Sequence, residues 1–211
     1  MKKYYYKDKA NIYSLFAEPI ASYIFDRAFT KSEKDALLNQ NWKDSYGNLG
    51  SVDTNVLSKK NLEDVRGFLN WAVLDYANKV YDFKDDDTKL YITQSWVNKT
   101  IPGAFHHKHN HPNSIVSGTL YIETNDDDLI EFSKPGVETA AWNFPPNKWN
   151  TWNSETWKMP VFSGRLYLWR SSLPHSVPPT KGTNNRYSLS FNTFVRGTIG
   201  DESGANGISL K

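Results

Sequence analysis

The chain has 211 residues, 38% of them hydrophobic, with 25 Lys+Arg against 23 Asp+Glu, which suits one medium domain with its own core. A formal net charge of +2 gives no pull toward nucleic acid or an anionic membrane surface, and the lack of cysteine excludes a disulfide frame, a thiolate metal site and a cysteine nucleophile. No apolar run is long enough to span a bilayer, and no apolar stretch follows the basic start Met1-Lys2-Lys3, so a cytoplasmic protein is expected.

Taken in order, Ile12 to Phe25 is aromatic and β-branched, and Pro19 in its middle makes it an edge strand or two short strands. Ser32, with Asp35 three residues on, predicts the cap of a short helix carrying Ala36, Leu37 and Leu38. Ser45 to Val56 is rich in Gly and Asn and reads as loop. The clearest helix is expected from about Asn61 to about Tyr81. There Leu62, Val65, Leu69, Ala72, Val73, Tyr76 and Val80 recur at three- and four-residue steps, and Glu63 and Asp64 sit in the first turn.

After Lys84-Asp85-Asp86-Asp87 the pattern turns to strands. Leu90 to Asn98 alternates, with Gln94, Trp96 and Asn98 on one face. Further strands are predicted over Ile115 to Thr124, Leu129 to Phe132, Phe162 to Trp169 (entered through a turn at Gly164) and Arg186 to Val195. Between them, Val137 to Pro160 holds Trp142, Trp149, Trp152 and Trp157 with Pro145 and Pro146. It is expected to be a loop whose indoles patch the outside of the core, or alternatively a rim that meets a substrate. Residues 197–211 are expected to be a loosely ordered tail. Helices followed by many short strands predict an α+β, mainly β protein whose working part is an antiparallel sandwich or barrel. A single domain is expected over 1–211: an N-terminal strand and supporting helices over 1–88, a β core over 89–196, and the tail.

Four of the five histidines fall in His106-His107-Lys108-His109-Asn110-His111-Pro112, and the fifth is His175. Side chains two apart on a strand share a face, so His109 and His111 can address one metal ion together, with His106 and His107 left to the rim. His175 is expected to return to this corner as a third ligand. Arg186 and Ser188 again share a strand face, and a guanidinium turned into a barrel needs a buried anion, for which a carboxylate suits its planar fork; the alternative is a structural ion pair.

These residues carry a resemblance. His109-Asn110-His111-Pro112-Asn113-Ser114 with Ser117-Gly118, then Gly164, His175 and Arg186-Tyr187-Ser188-Leu189-Ser190-Phe191-Asn192, resemble the iron(II)/2-oxoglutarate-dependent oxygenases, in their small prolyl-hydroxylase-like branch of bacteria and phages. The resemblance runs from about Leu90 to Val195. It implies a double-stranded β-helix (jelly-roll) core, Fe(II) and 2-oxoglutarate as cofactors, dioxygen as co-reactant, and hydroxylation of a C–H bond, peptidyl-prolyl by analogy only. It implies His109 and His175 as metal ligands, with His111 where that superfamily usually has Asp or Glu, and Arg186 with Ser188 for the distal carboxylate of 2-oxoglutarate. Asn98, Trp96 and Tyr121 are expected to line the pocket. Two other readings stand beside it: a three-histidine iron cupin that does not use 2-oxoglutarate, and a non-enzymatic β-sandwich binding module.

Overall fold

A computed structural model describes residues 12–83, 87–136 and 145–210. Two antiparallel sheets face each other, as the jelly-roll expectation requires, with two helices backing the larger one. The strands of the larger sheet are β1 (Ile20–Ile24), β2 (Trp42–Ser45), β3 (Asn48–Ser51), β4 (Lys89–Thr100), β6 (Val116–Glu123), β9 (Arg165–Arg170), β11 (Arg186–Ile199) and β12 (Ile208–Leu210). They are ordered β1-β9-β6-β11-β4-β3-β2, with β12 added along β11. The smaller sheet holds β5 (His106–His109), β7 (Leu129–Ser133), β8 (Thr156–Pro160) and β10 (His175–Val177), ordered β5-β10-β7-β8.

The period-2 rule explains why the central strands are buried on both faces. From β6 and β9, Val116, Leu120, Ile122, Leu166 and Leu168 turn toward the helices, while Tyr121, Tyr167 and Trp169 turn between the sheets. The stripe read in the sequence is the buried face of α2 (Glu63–Val80), where Val65, Leu69, Ala72, Val73 and Tyr76 are at most 1% exposed. Gly118 lies directly beneath Phe191 and Leu168, leaving no room for a side chain. Gly164 holds the turn into β9 at φ +86°, where other residues are strained. No helix among the described residues is long and apolar enough to cross a membrane.

Several expectations are corrected. β1 begins only at Ile20, so the stretch before Pro19 is not a strand. Helix α1 (Lys31–Leu38) is capped two residues earlier than Ser32 predicts: Thr30 accepts from the Glu33 backbone N–H while the Glu33 carboxylate accepts from the Thr30 N–H. That earlier box wins because Glu33 also pairs with Arg27 at 2.6 Å, which holds its carboxyl down at about 2. Within the stretch read as a loop from Ser45 to Val56, Asn48–Ser51 is β3, paired in a hairpin with β2, and Tyr46 and Gly47 at positive φ make the turn. The tail folds back as β12 on the end of β11. Trp149 and Trp152 are 62% and 53% exposed, and Trp157 stands on β8 at 47%, so these indoles do not patch the core; Trp142 lies outside the described residues.

Candidate functional site

The corner is built where β5 pairs with β10. His109 and His175 face each other in register, and His106 pairs with Val177, so β5 carries one residue more than its partner between these points. This bulge changes the histidine assignment made from simple alternation. β5 ends at His109, and His111 lies beyond it, held by its backbone N–H to the Ser171 carbonyl at 2.9 Å rather than by strand alternation. His106 is correspondingly not a rim residue: it lines the pocket and stacks on His109 with ring centroids 4.4 Å apart. His107 is the exposed one, against Tyr46.

His109, His111 and His175 bring one nitrogen each within 4.8 Å of one another. Two of the three are aimed by the backbone. Nδ1 of His109 lies 2.8 Å from the His107 carbonyl and Nδ1 of His175 lies 3.1 Å from the Leu173 carbonyl, so each donates there and presents a bare Nε2. His111 Nε2 sits 3.2 Å from His175 Nε2. Two nitrogens bound to one ion at bonds of about 2.1 Å and near a right angle would lie about 3 Å apart, so the spacing fits shared coordination. His106, His107 and His109 form a second group of the same breadth that shares His109.

Burial, before any neighbouring charge, pushes His111 down to about 4 and His106 to about 3, and moves His109 and His175 the same way. All four are therefore neutral at neutral pH, which is the form that binds metal. The sign for stability follows. An unfolded imidazole takes its proton near 6.5 and the folded His111 near 4, so between these values the unfolded chain binds more protons. The stabilisation is complete above about 6.5 and is lost as pH falls toward 4, on the order of 2 kcal/mol from His111 by pH 5. The urea midpoint of the metal-free protein is expected to drop between pH 7 and pH 5, and to drop less in His111→Gln. A midpoint that is flat over this range would contradict the burial of these rings.

The pocket continues from the imidazoles to Arg186 along a wall that includes Asn98, Thr119, Tyr121, Ser188 and Ser190, with Trp96 also lining it. Arg186 is 3% exposed, and among the described residues no carboxylate pairs with it. It makes only long contacts, Nη1 to the Leu129 carbonyl at 3.4 Å and Nη2 to Thr100 Oγ1 at 3.5 Å, and its Nε has no partner. The structural ion pair held open as the alternative is therefore not formed among the described residues. Asn98 donates from Nδ2 to Ser190 Oγ at 3.0 Å and leaves its Oδ1 unpartnered, as does Asn48. Burial raises the Tyr121 hydroxyl well above its ordinary value.

Every site residue predicted from the sequence thus reaches one pocket. Sequence reasoning missed Thr119, Ser190, His106 and Asn48. The first two were recoverable by period 2 from Tyr121 and Ser188, whereas nothing in the sequence marked the bulge or the hairpin that turn in His106 and Asn48.

Residues 94–192 match the family described as "Putative 2OG-Fe(II) oxygenase". No curated protein sequence matches the chain. Among solved structures, a 2OG-Fe(II) oxygenase family oxidoreductase from Burkholderia pseudomallei has a TM-score of 0.56 at 12% identity, over 82% of this chain and 83% of that one. A prolyl-4-hydroxylase from Pseudomonas putida gives 0.53 at 14%, over 87% and 96%. HygX from Streptomyces hygroscopicus, crystallised with nickel, 2-oxoglutarate and hygromycin B, gives 0.56 at 11%, over 83% and 82%. At these identities the structural likenesses speak for the fold.

Proposed function

We propose that this chain, whose residues 94–192 match the 2OG-Fe(II) oxygenase family, is an oxidoreductase that depends on Fe(II) and 2-oxoglutarate and hydroxylates a C–H bond with the residues of this one pocket. His109, His111 and His175 would hold the ion, and Arg186 with Ser188 would hold the distal carboxylate of 2-oxoglutarate. When bound, iron and 2-oxoglutarate would activate dioxygen, the oxidant, so that one oxygen atom goes to the succinate formed with carbon dioxide and the other to the substrate C–H bond.

The protein's own contributions are positional. The carbonyls of His107 and Leu173 keep two imidazoles in the tautomer that offers Nε2. Arg186 fixes the length of the cosubstrate by anchoring its far end. Tyr121 and Asn98 line the space between the ion and Arg186, where the protonated phenol can donate a hydrogen bond and the Asn98 amide oxygen can accept one. Ile130 and Val177 supply apolar parts of the wall around that space.

The observation that carries this reading is Arg186, a buried guanidinium that no carboxylate pairs with among the described residues, in the same pocket as three convergent imidazoles. Neither an iron cupin indifferent to 2-oxoglutarate nor a plain binding module gives it an anion. The test is to supply Fe(II), 2-oxoglutarate and oxygen without substrate. Slow succinate formation is expected, and iron binding with no effect of 2-oxoglutarate would sink the proposal. A prolyl peptide is the first substrate to add, because the Pseudomonas putida neighbour is a prolyl-4-hydroxylase.

A further inference from the structure

Asn48 begins β3, in a stretch with no sequence signal for a site. In the larger sheet Leu49 pairs with Lys99, and Arg186 pairs with Thr100. Asn48, Thr100 and Arg186 therefore stand at one level on three adjacent strands, and all three turn away from solvent. Strands spaced by about 4.8 Å put the outer two roughly 10 Å apart at their backbones, within reach of an Asn and an Arg side chain addressing one small group between them. Asn48 and Arg186 line the same pocket. Asn48 is 5% exposed, yet its Oδ1 has no hydrogen-bond partner among the described residues, and Arg186 Nε has none either.

Two polar groups left without partners on one level of a buried wall imply a third party that supplies the missing bonds. A side-chain amide can turn either its oxygen or its NH2 toward that party by rotating its last torsion. We infer that Asn48 is a further cosubstrate-binding residue, whose amide binds the distal carboxylate of 2-oxoglutarate from the β3 side while Arg186 binds it from the β11 side. The inference rests on the 2-oxoglutarate reading of the pocket. It makes the β2–β3 hairpin part of the binding site rather than a cover on the sheet edge.

The test is calorimetric titration of 2-oxoglutarate into Mn(II)-loaded protein, with melting of the metal-free forms alongside. In Asn48→Ala the affinity for 2-oxoglutarate is expected to fall about tenfold, the loss of one hydrogen bond to a charged group. Mn(II) affinity should stay within about twofold, and the metal-free protein should melt no lower, because a buried group without partners has been removed. Asn48→Asp should weaken 2-oxoglutarate further, by about a hundredfold, and raise the melting temperature, since the new carboxylate gives Arg186 its countercharge. Unchanged 2-oxoglutarate affinity in Asn48→Ala overturns the inference. So does a loss of affinity accompanied by a lower melting temperature, which would mark Asn48 as structural. If the wild type binds no 2-oxoglutarate, the functional proposal falls as well; if it binds and Arg186→Met does not while Asn48→Ala is unaffected, the Asn48 inference alone falls.

Discussion

Replacing Arg186 by methionine is expected to weaken 2-oxoglutarate binding by about a hundredfold or more while leaving the ligand-free protein as stable as before, or more so. Two effects are separated by this variant. In the ligand-free pocket the guanidinium is 3% exposed and holds only two contacts near the limit of hydrogen bonding. Its desolvation is uncompensated, and a methionine of similar length removes that cost. In the proposed complex the same guanidinium would meet a carboxylate out of water, where truncating one partner costs about 2–5 kcal/mol. Affinity and stability therefore move in opposite directions, which a merely structural arginine would not show. Titration of 2-oxoglutarate into the Mn(II) form, together with a thermal melt, checks both; a large drop in melting temperature with unchanged affinity would return Arg186 to a structural role.

The second large effect is expected at His111. His111→Ala should lower Fe(II) affinity by more than about a hundredfold, since losing an orienting partner of a ligand already costs 10–100-fold. His111→Asp should keep the ion within about tenfold of wild type and keep 2-oxoglutarate turnover. The reason lies in the metal-free geometry. His175 offers a bare Nε2 because its Nδ1 faces the Leu173 carbonyl, so the 3.2 Å approach of His111 Nε2 requires His111 to carry the proton between them. A bound ion would replace that proton and draw His111 into the other tautomer. A carboxylate at this place needs no such exchange, and two histidines with one carboxylate are a set that suits Fe(II). Equilibrium titration of Fe(II) under anaerobic conditions checks the prediction. Wild-type affinity in His111→Ala would exclude His111 as a ligand.

How much of this was legible in the sequence can be argued residue by residue. Helix α2 was, because seven apolar residues at helical spacing have no other use. The central strands were, because burial on both faces writes long apolar runs into β6, β9 and β11. Arg186 and Ser188 were, because two residues apart on a long strand means one face whatever the tertiary setting. The pairing of His109 with His111 was reached for the wrong reason: alternation was assumed past the end of β5, and the Ser171 carbonyl does that work instead. His106 was misplaced because a bulge depends on the partner strand and leaves no mark on its own. Asn48 was invisible because Gly and Asn signal a turn without saying whether strands flank it closely, and in β2–β3 they do.

The position of β5 in its sheet has a consequence for association between molecules. β5 is the outermost strand of β5-β10-β7-β8, and among the described residues no further strand pairs with its other side. His109 belongs to β5 and His175 to its neighbour β10, so an ion held between them stitches the border strand to the sheet. In a chain with no cysteine, such an ion would take the place of a covalent clasp, and a supply of metal would then guard the border against peeling and sticking.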